Sequence, residues 1–117
     1  MGNKAQDRDT KEIFLWIQSN NYLEVENYVK KNLLELNNTF DREGNNLLSF
    51  AVQSGYYEIC ELLIKNGLPI NTRNKAGNTP LHYAIAYQKQ RIIQLLIDSG
   101  ANENIANDRN KTPWEGL

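Results

Sequence analysis

The sequence is short of nearly everything that enzyme chemistry needs. Among 117 residues there is one cysteine, one histidine and one methionine. A lone Cys60 excludes an internal disulfide and points to a reducing compartment, the cytoplasm or the nucleus. It sits in "YYEICELLIK", inside an apolar helical stripe, where a buried structural thiol is expected. One His and one Cys fall short of the four ligands of an ordinary zinc site. No Ser or Cys has a second histidine to activate it. No glycine-rich loop with a following Lys is present to cradle a phosphate. Acidic residues such as Asp98 and Glu103 read as parts of a solvated face. No catalytic residue, metal site or cofactor is therefore expected.

Long apolar runs are absent too. None approaches the roughly 18–20 residues that cross a bilayer, and "MGNKAQDRDT" is too polar for a signal peptide. Gln6 stands where a Met-Gly lipidation signal carries Ser or Thr. Excess charge is also missing: 13 basic residues against 14 acidic leave a net charge of −1. No global field draws the chain to nucleic acid or to an anionic membrane, so neither is an expected partner. The sequons at Asn37 and Asn110 are expected to go unused in a cytosolic protein.

What is present is a pattern. With 40% apolar and 23% charged residues the chain has the composition of one small globular domain. Asparagine is abundant, with 17 residues. Many lie near expected turns and caps, where the short amide bonds to local backbone and tolerates positive φ. Shifted by 33 residues, the sequence meets itself. Gly44 falls on Gly77, Ala51 on Ala84, Ile59 on Ile92, Leu62-Leu63 on Leu95-Leu96, Gly67 on Gly100 and Asn71 on Asn104. A further step puts Asn74 on Asn107 and Thr79-Pro80 on Thr112-Pro113. A fixed period of this size marks stacked repeats.

Each unit carries the marks of a helix pair. Thr79 is an N-cap, and Pro80 sits at the first helical position, where its missing N–H costs nothing. "LHYAIAY" is a short helix; a tight turn leads to "QRIIQLLIDSG", whose Ile92, Leu95 and Leu96 share one face. Gly100 ends that helix in the left-handed conformation that glycine adopts cheaply. The preceding unit repeats this with Asn46 as cap, Ile59, Leu62 and Leu63 as stripe, and Gly67 as stop. Before residue 41 the same scheme fits at an offset of 34, with Asn21 on Gly55, Val25 on Ile59, helices at about 10–19 and 23–32, and Asn32 as stop. That segment reads as a diverged capping unit, which stacked repeats need because each buries its apolar face only against neighbours.

"GNTPLHYAIAYQKQRIIQLLIDSGANEN" resembles an ankyrin repeat, and "TPLH" is that family's best-known tetrapeptide. The resemblance covers two full units, 41–73 and 74–106, with a polar tail at 1–9, the capping unit at 10–40 and a partial unit at 107–117. It implies an all-α solenoid of stacked helix-turn-helix units joined by β-hairpin-like loops. Leu47 and Ser49 replace the motif's Pro and His in the first full unit. Gln88 replaces the usual glycine between helices, and Asn74 and Asn107 replace the usual Asp of the hairpin. These departures are expected to weaken individual turns.

His82 lies three residues after Thr79, the spacing of a capping box. Ser49 and Glu115 occupy the equivalent places, and a catalytic group is not expected to alternate in this way. The role expected of His82 is structural.

Function then falls to surfaces. The resemblance implies protein binding through the side made by hairpin tips and first helices. By position it nominates Phe40, Arg42, Glu43 and Asn45 in the first hairpin, Arg73, Lys75, Ala76 and Asn78 in the second, and Asp108, Arg109 and Lys111 in the third. From the first helices come Ser19, Asn20, Gln53, Ser54, Ala86 and Tyr87. The basic lean of the fingertips favours a partner protein with acidic patches. The broad apolar stripe of 90–99 raises a second class of function, self-association through the C-terminal face. Three covers are open there: a short helix at 113–117 with Trp114 shielding Leu96, further chain, or a second molecule.

Overall fold

Three consecutive helix pairs make up the chain. A computed structural model describes the backbone of residues 4–117 and the side chains of residues 11–117. Helices α1 (Lys4–Gln18) and α2 (Tyr22–Lys31) form the first pair, α3 (Leu47–Ser54) and α4 (Tyr57–Lys65) the second, α5 (Pro80–Ala86) and α6 (Gln90–Asp98) the third. A one-turn 3₁₀ segment, Leu36–Asn38, lies between the first two pairs.

Local chemistry starts and stops these helices. The Asn46 side chain accepts from the Ser49 N–H at 2.8 Å, relieving an orphan donor at the start of α3. Thr79 and Pro80 open α5. At the ends of α4 and α6, Gly67 and Gly100 take φ of +87° and +101°. Each turns the chain so that a residue beyond bonds back into the last turn: Leu68 N–H to the Leu63 carbonyl at 3.2 Å, Ala101 N–H to the Leu96 carbonyl at 2.9 Å. This six-to-one closure satisfies carbonyls that the helix leaves open.

Packing follows the repeat. First helices stack on first helices, α1 on α3 and α3 on α5, while α2 packs on α4 and α4 on α6. The shared core repeats at the same interval: Leu48 and Leu81, Ala51 and Ala84, Ile59 and Ile92, Leu63 and Leu96 are all buried. Cys60 takes the place that Ile93 fills one unit later, and it is fully buried. Each large aliphatic in this column contributes about 1.5–3 kcal/mol by leaving water. No single pair could bury both of its flanks, so stability belongs to the stack.

The structure corrects four expectations. Helix α1 begins at Lys4 and not near residue 10; Lys4–Thr10 contains no Pro or Gly to stop a helix propagating toward the N-terminus. In the first pair the left-handed residue is Asn20, with φ +56°, and Asn21 is the N-cap of α2. Asn21 therefore does not correspond to Gly55; α2 is ten residues long where α4 has nine, and the extra residue shifts the register at its start. Residues 113–117 form one turn and no helix, since Gly116 leaves the helical region with φ +120°. Trp114 is 56% exposed, its indole N–H donating to Glu103 at 2.9 Å, while Leu96 is already fully buried. More than half of Trp114 thus faces solvent, and the burial of Leu96 is complete with Trp114 in place. The hairpin-like loops carry no strand among the described residues, only a single antiparallel bridge between Phe40 and Asn46.

Candidate functional site

His82 is fully buried, and both ring nitrogens are engaged. The Thr79 N–H donates to Nδ1 at 3.0 Å, and the Thr79 hydroxyl lies 2.9 Å from the same atom. Because Nδ1 accepts from a backbone donor, the proton of the neutral ring sits on Nε2. From there it donates to the Lys111 carbonyl at 2.9 Å. The capping box is present as the sequence predicts. The bond to Lys111 goes beyond it, tying α5 to the next hairpin. In the last turn Glu115 plays the corresponding part, accepting from the Thr112 N–H at 2.8 Å.

The hairpin tips are built by one device used three times. Asp41 Oδ1 accepts from the N–H groups of Glu43 and Asn45. Asn74 Oδ1 accepts from Ala76 and Asn78, and Asn107 Oδ1 from Arg109 and Lys111. An asparagine oxygen closes this turn with the same two bonds that the Asp41 oxygen makes, so the departures at 74 and 107 keep its geometry. The amide also adds a donor. Asn74 Nδ2 donates to Asn45 Oδ1 at 2.9 Å, and Asn107 Nδ2 to Asn78 Oδ1 at 2.8 Å. Neighbouring tips are further joined through backbone, Lys75 N–H to the Glu43 carbonyl and Asp108 N–H to the Ala76 carbonyl. Gly77 has to be glycine: its φ is +80°, and a Cβ there would lie 2.7 Å from the Asp108 nitrogen.

This network reassigns several nominated residues. Asn45 and Asn78 are buried and face the next unit through their side-chain oxygens, so they hold hairpins together and offer little surface. Arg73 donates from Nε to the Gly77 carbonyl and from Nη2 to the Ala106 carbonyl, and pairs with Asp108 at 3.1 Å. Two of the nominated charges thus cancel each other, and the basic lean of the fingertips rests on Arg42, Lys75, Arg109 and Lys111, all exposed. Tyr87 is 46% exposed and leans on Tyr83, ring centroids 6.0 Å apart.

The first hairpin and the first helices of the first two pairs enclose two adjoining cavities. One, about 370 Å³, is lined by Lys11, Phe14, Phe40, Asp41, Arg42, Glu43 and Phe50. The other, about 380 Å³, is lined by Gln18, Asp41, Glu43, Asn45, Phe50, Gln53 and Ser54. Asp41, Glu43 and Phe50 form the wall they share. Both are at the small end of the size range of ligand sites. Of the nominated residues, Phe40, Arg42, Glu43, Asn45, Gln53 and Ser54 come together here. Arg73, Lys75, Tyr87, Asp108 and Arg109 line neither cavity. Lys11, Phe14, Gln18 and Phe50 were missed. Phe50 had a signal, since it falls on Tyr83 one period later; α1 gave none, because its register against the repeats was ambiguous. Phe14 and Phe50 meet edge to face, centroids 5.0 Å apart, a preferred aromatic geometry.

Elsewhere the chemistry is spare. Burial pushes the Cys60 thiol up from 9.0 to about 12, so its nucleophilic thiolate is suppressed. Among the described residues no cluster of three His, Cys, Asp or Glu is placed to hold a metal. No helix among them is long and apolar enough to cross a membrane. Exposed apolar side chains gather in the first pair and the segment after it: Leu15, Tyr22, Leu23, Leu33 and Leu34, the last 92% exposed.

Stacked helix pairs with matching caps, a common core column and hairpin tips bonded tip to tip define a helical repeat solenoid. The family model for ankyrin repeats in three copies matches residues 13–107, so the chain belongs to the ankyrin-repeat family. No curated protein matches the chain significantly. Ankyrin repeats are generally protein–protein interaction modules and are typically not enzymes.

Proposed function

We propose that this chain is a non-catalytic protein-binding module that takes its partner on the side formed by hairpin tips and first helices, centred on the first hairpin. The observation that carries this reading is the pair of adjoining cavities around Phe40, Glu43 and Phe50. Phe40 is a large aromatic left 46% exposed beside an apolar recess, the arrangement that interface anchors favour. The structural employment of His82 and the suppressed thiol of Cys60 support a non-catalytic role. An adaptor, an inhibitor or an assembly factor, working in the cytoplasm or nucleus, fits this reading.

Affinity capture with wild type, Phe40→Ser and Tyr87→Ala tests it. Phe40→Ser should lose partners that wild type and Tyr87→Ala retain. Equal retention by all three would place binding elsewhere.

A second reading, self-association, draws support from the exposed leucines of the first unit. It moves the expected contact from the C-terminal face, where Trp114 is the large exposed apolar side chain, to Leu23, Leu33 and Leu34. Light scattering of wild type against Leu34→Asp distinguishes the two: a dimer that the substitution dissociates favours self-association.

A further inference from the structure

The two cavities differ in the charge they present. The apolar one is walled by Phe14, Phe40 and Phe50, and there the shared Asp41 and Glu43 are opposed by the cations Lys11 and Arg42. Its neighbour contains no cation; its charges are Asp41 and Glu43, and the rest of its lining is amide, hydroxyl and one face of Phe50. Asp41 is already spent. Its Oδ1 accepts two backbone N–H groups and its Oδ2 accepts from Asn45 Nδ2 at 2.9 Å. The Glu43 carboxylate has no hydrogen-bond or ion-pair partner among the described residues, and Glu43 is exposed. An anion without a partner, beside the amides of Gln18 and Gln53 and the Ser54 hydroxyl, is matched by a cation that can also donate hydrogen bonds. A carboxylate or phosphate entering the same space would meet two negative groups.

Resting on the reading that this groove is where the partner binds, we infer that its occupant is an extended peptide segment carrying an aromatic or branched aliphatic side chain and, two positions away, a Lys or Arg. The apolar side chain enters the phenylalanine-lined cavity, and the basic one meets Glu43. Same-face side chains of an extended segment stand about 7 Å apart, which suits two recesses with a common wall. Lys11 and Arg42 help set the order, since they offset Asp41 and Glu43 in the apolar recess, whereas in its neighbour the same two carboxylates stand without a cation and favour a basic side chain. This differs from the acidic partner expected from fingertip charge alone, because the charges lining the second recess are Asp41 and Glu43 with no cation beside them.

The test uses the full chain to select from a random dodecapeptide phage library, followed by synthetic peptides measured by fluorescence anisotropy. Enriched sequences should carry the apolar residue with Lys or Arg two positions away. Glu43→Arg should weaken them by about tenfold or more at low salt, and replacing the peptide's basic residue by Glu should restore binding to that variant. Phe40→Ser should weaken both peptide types on either background. Both side chains are exposed, and unchanged thermal melts check that the variants remain folded. Peptides that depend on Phe40 but carry Asp or Glu at the second position would overturn the inference while leaving the groove as the binding site. Peptides indifferent to both substitutions, or no enrichment at all, would overturn the inference and the groove together.

Discussion

Asn74 Nδ2 lies 2.9 Å from Asn45 Oδ1, and through this bond a side chain of the second hairpin leans on the first. The same amide nitrogen reaches the Tyr83 hydroxyl at 2.7 Å, and its oxygen closes its own turn. An aspartate here would keep the turn and lose both donated bonds, placing a carboxylate oxygen against Asn45 Oδ1. Asn45 cannot flip its amide without giving up its bonds to Asp41 and Ser49. Asn74→Asp should therefore cost about 1–2 kcal/mol, seen as a lower urea midpoint. Equal stability would mean that the contact between tips carries nothing.

His82 bridges α5 to the third hairpin, so its removal should be felt across two units. His82→Ala leaves the buried Thr79 N–H without a partner and removes one of the two bonds on the Lys111 carbonyl, which still accepts from the Asn107 N–H, and about 2–3 kcal/mol of stability should go with the lost bonds and the space left by the ring. Thr79→Ala loses the cap alone, worth about 1 kcal/mol. The double variant should lose less than the sum, because the two residues share one network. Additive losses in denaturant titrations would show that they act independently.

Gln88 holds φ at +56° where the preceding unit has Gly55 at +83°. The left-handed region costs a side-chain-bearing residue about 1–2 kcal/mol, and glycine gives back part of that relief through its more flexible unfolded state. Gln88→Gly should raise stability by up to about 1 kcal/mol on these opposing terms. Gln88→Val should lower it, since branching at Cβ makes positive φ worse. A thermal melt in which glycine is the less stable variant would contradict this account.

Cys60 supplies a prediction in pH. The folded thiol keeps its proton to about 12, whereas in the unfolded chain it ionises near 9. Its contribution to stability is therefore complete below about pH 9 and is lost as pH rises toward 12, because the unfolded state releases the proton first. Wild type should lose stability more steeply than Cys60→Val in that window, by at most about 1.4 kcal/mol per pH unit. Ellman's reagent should label the thiol in denaturant and leave the native protein unmodified; rapid labelling of the native protein is the contrary result.

Local and periodic features were legible in the chain, because they depend on neighbours in sequence or on a repeat that sequence displays directly. Thr79, Pro80 and His82 announced a cap within four residues. Gly67 and Gly100 announced helix stops, and the 33-residue shift announced the stack. The first pair was read less well, since α2 carries one extra residue and the left-handed position moved to Asn20. The cap at Thr112 suggested a short C-terminal helix, one of three covers left open, but Gly116 cuts it off after a single turn.

What the sequence by itself determined is the unit: a capped helix, a turn, a second helix and a glycine stop, repeated so that each apolar flank requires a neighbour. Only the tertiary structure decided which polar groups remain for a partner. Asn45, Asn78, Arg73 and Asp108 looked available along the chain, yet Asn45 is taken by Asn74, Asn78 by Asn107 and Arg73 by Asp108, each across units 29 to 35 residues apart. Phe14 and Phe50 pack against the core and also line the groove beside Phe40, a placement that needs the stacking of α1 on α3. The physical reason is that a side chain's freedom is set by what packs against it, and stacking brings together residues a whole repeat apart.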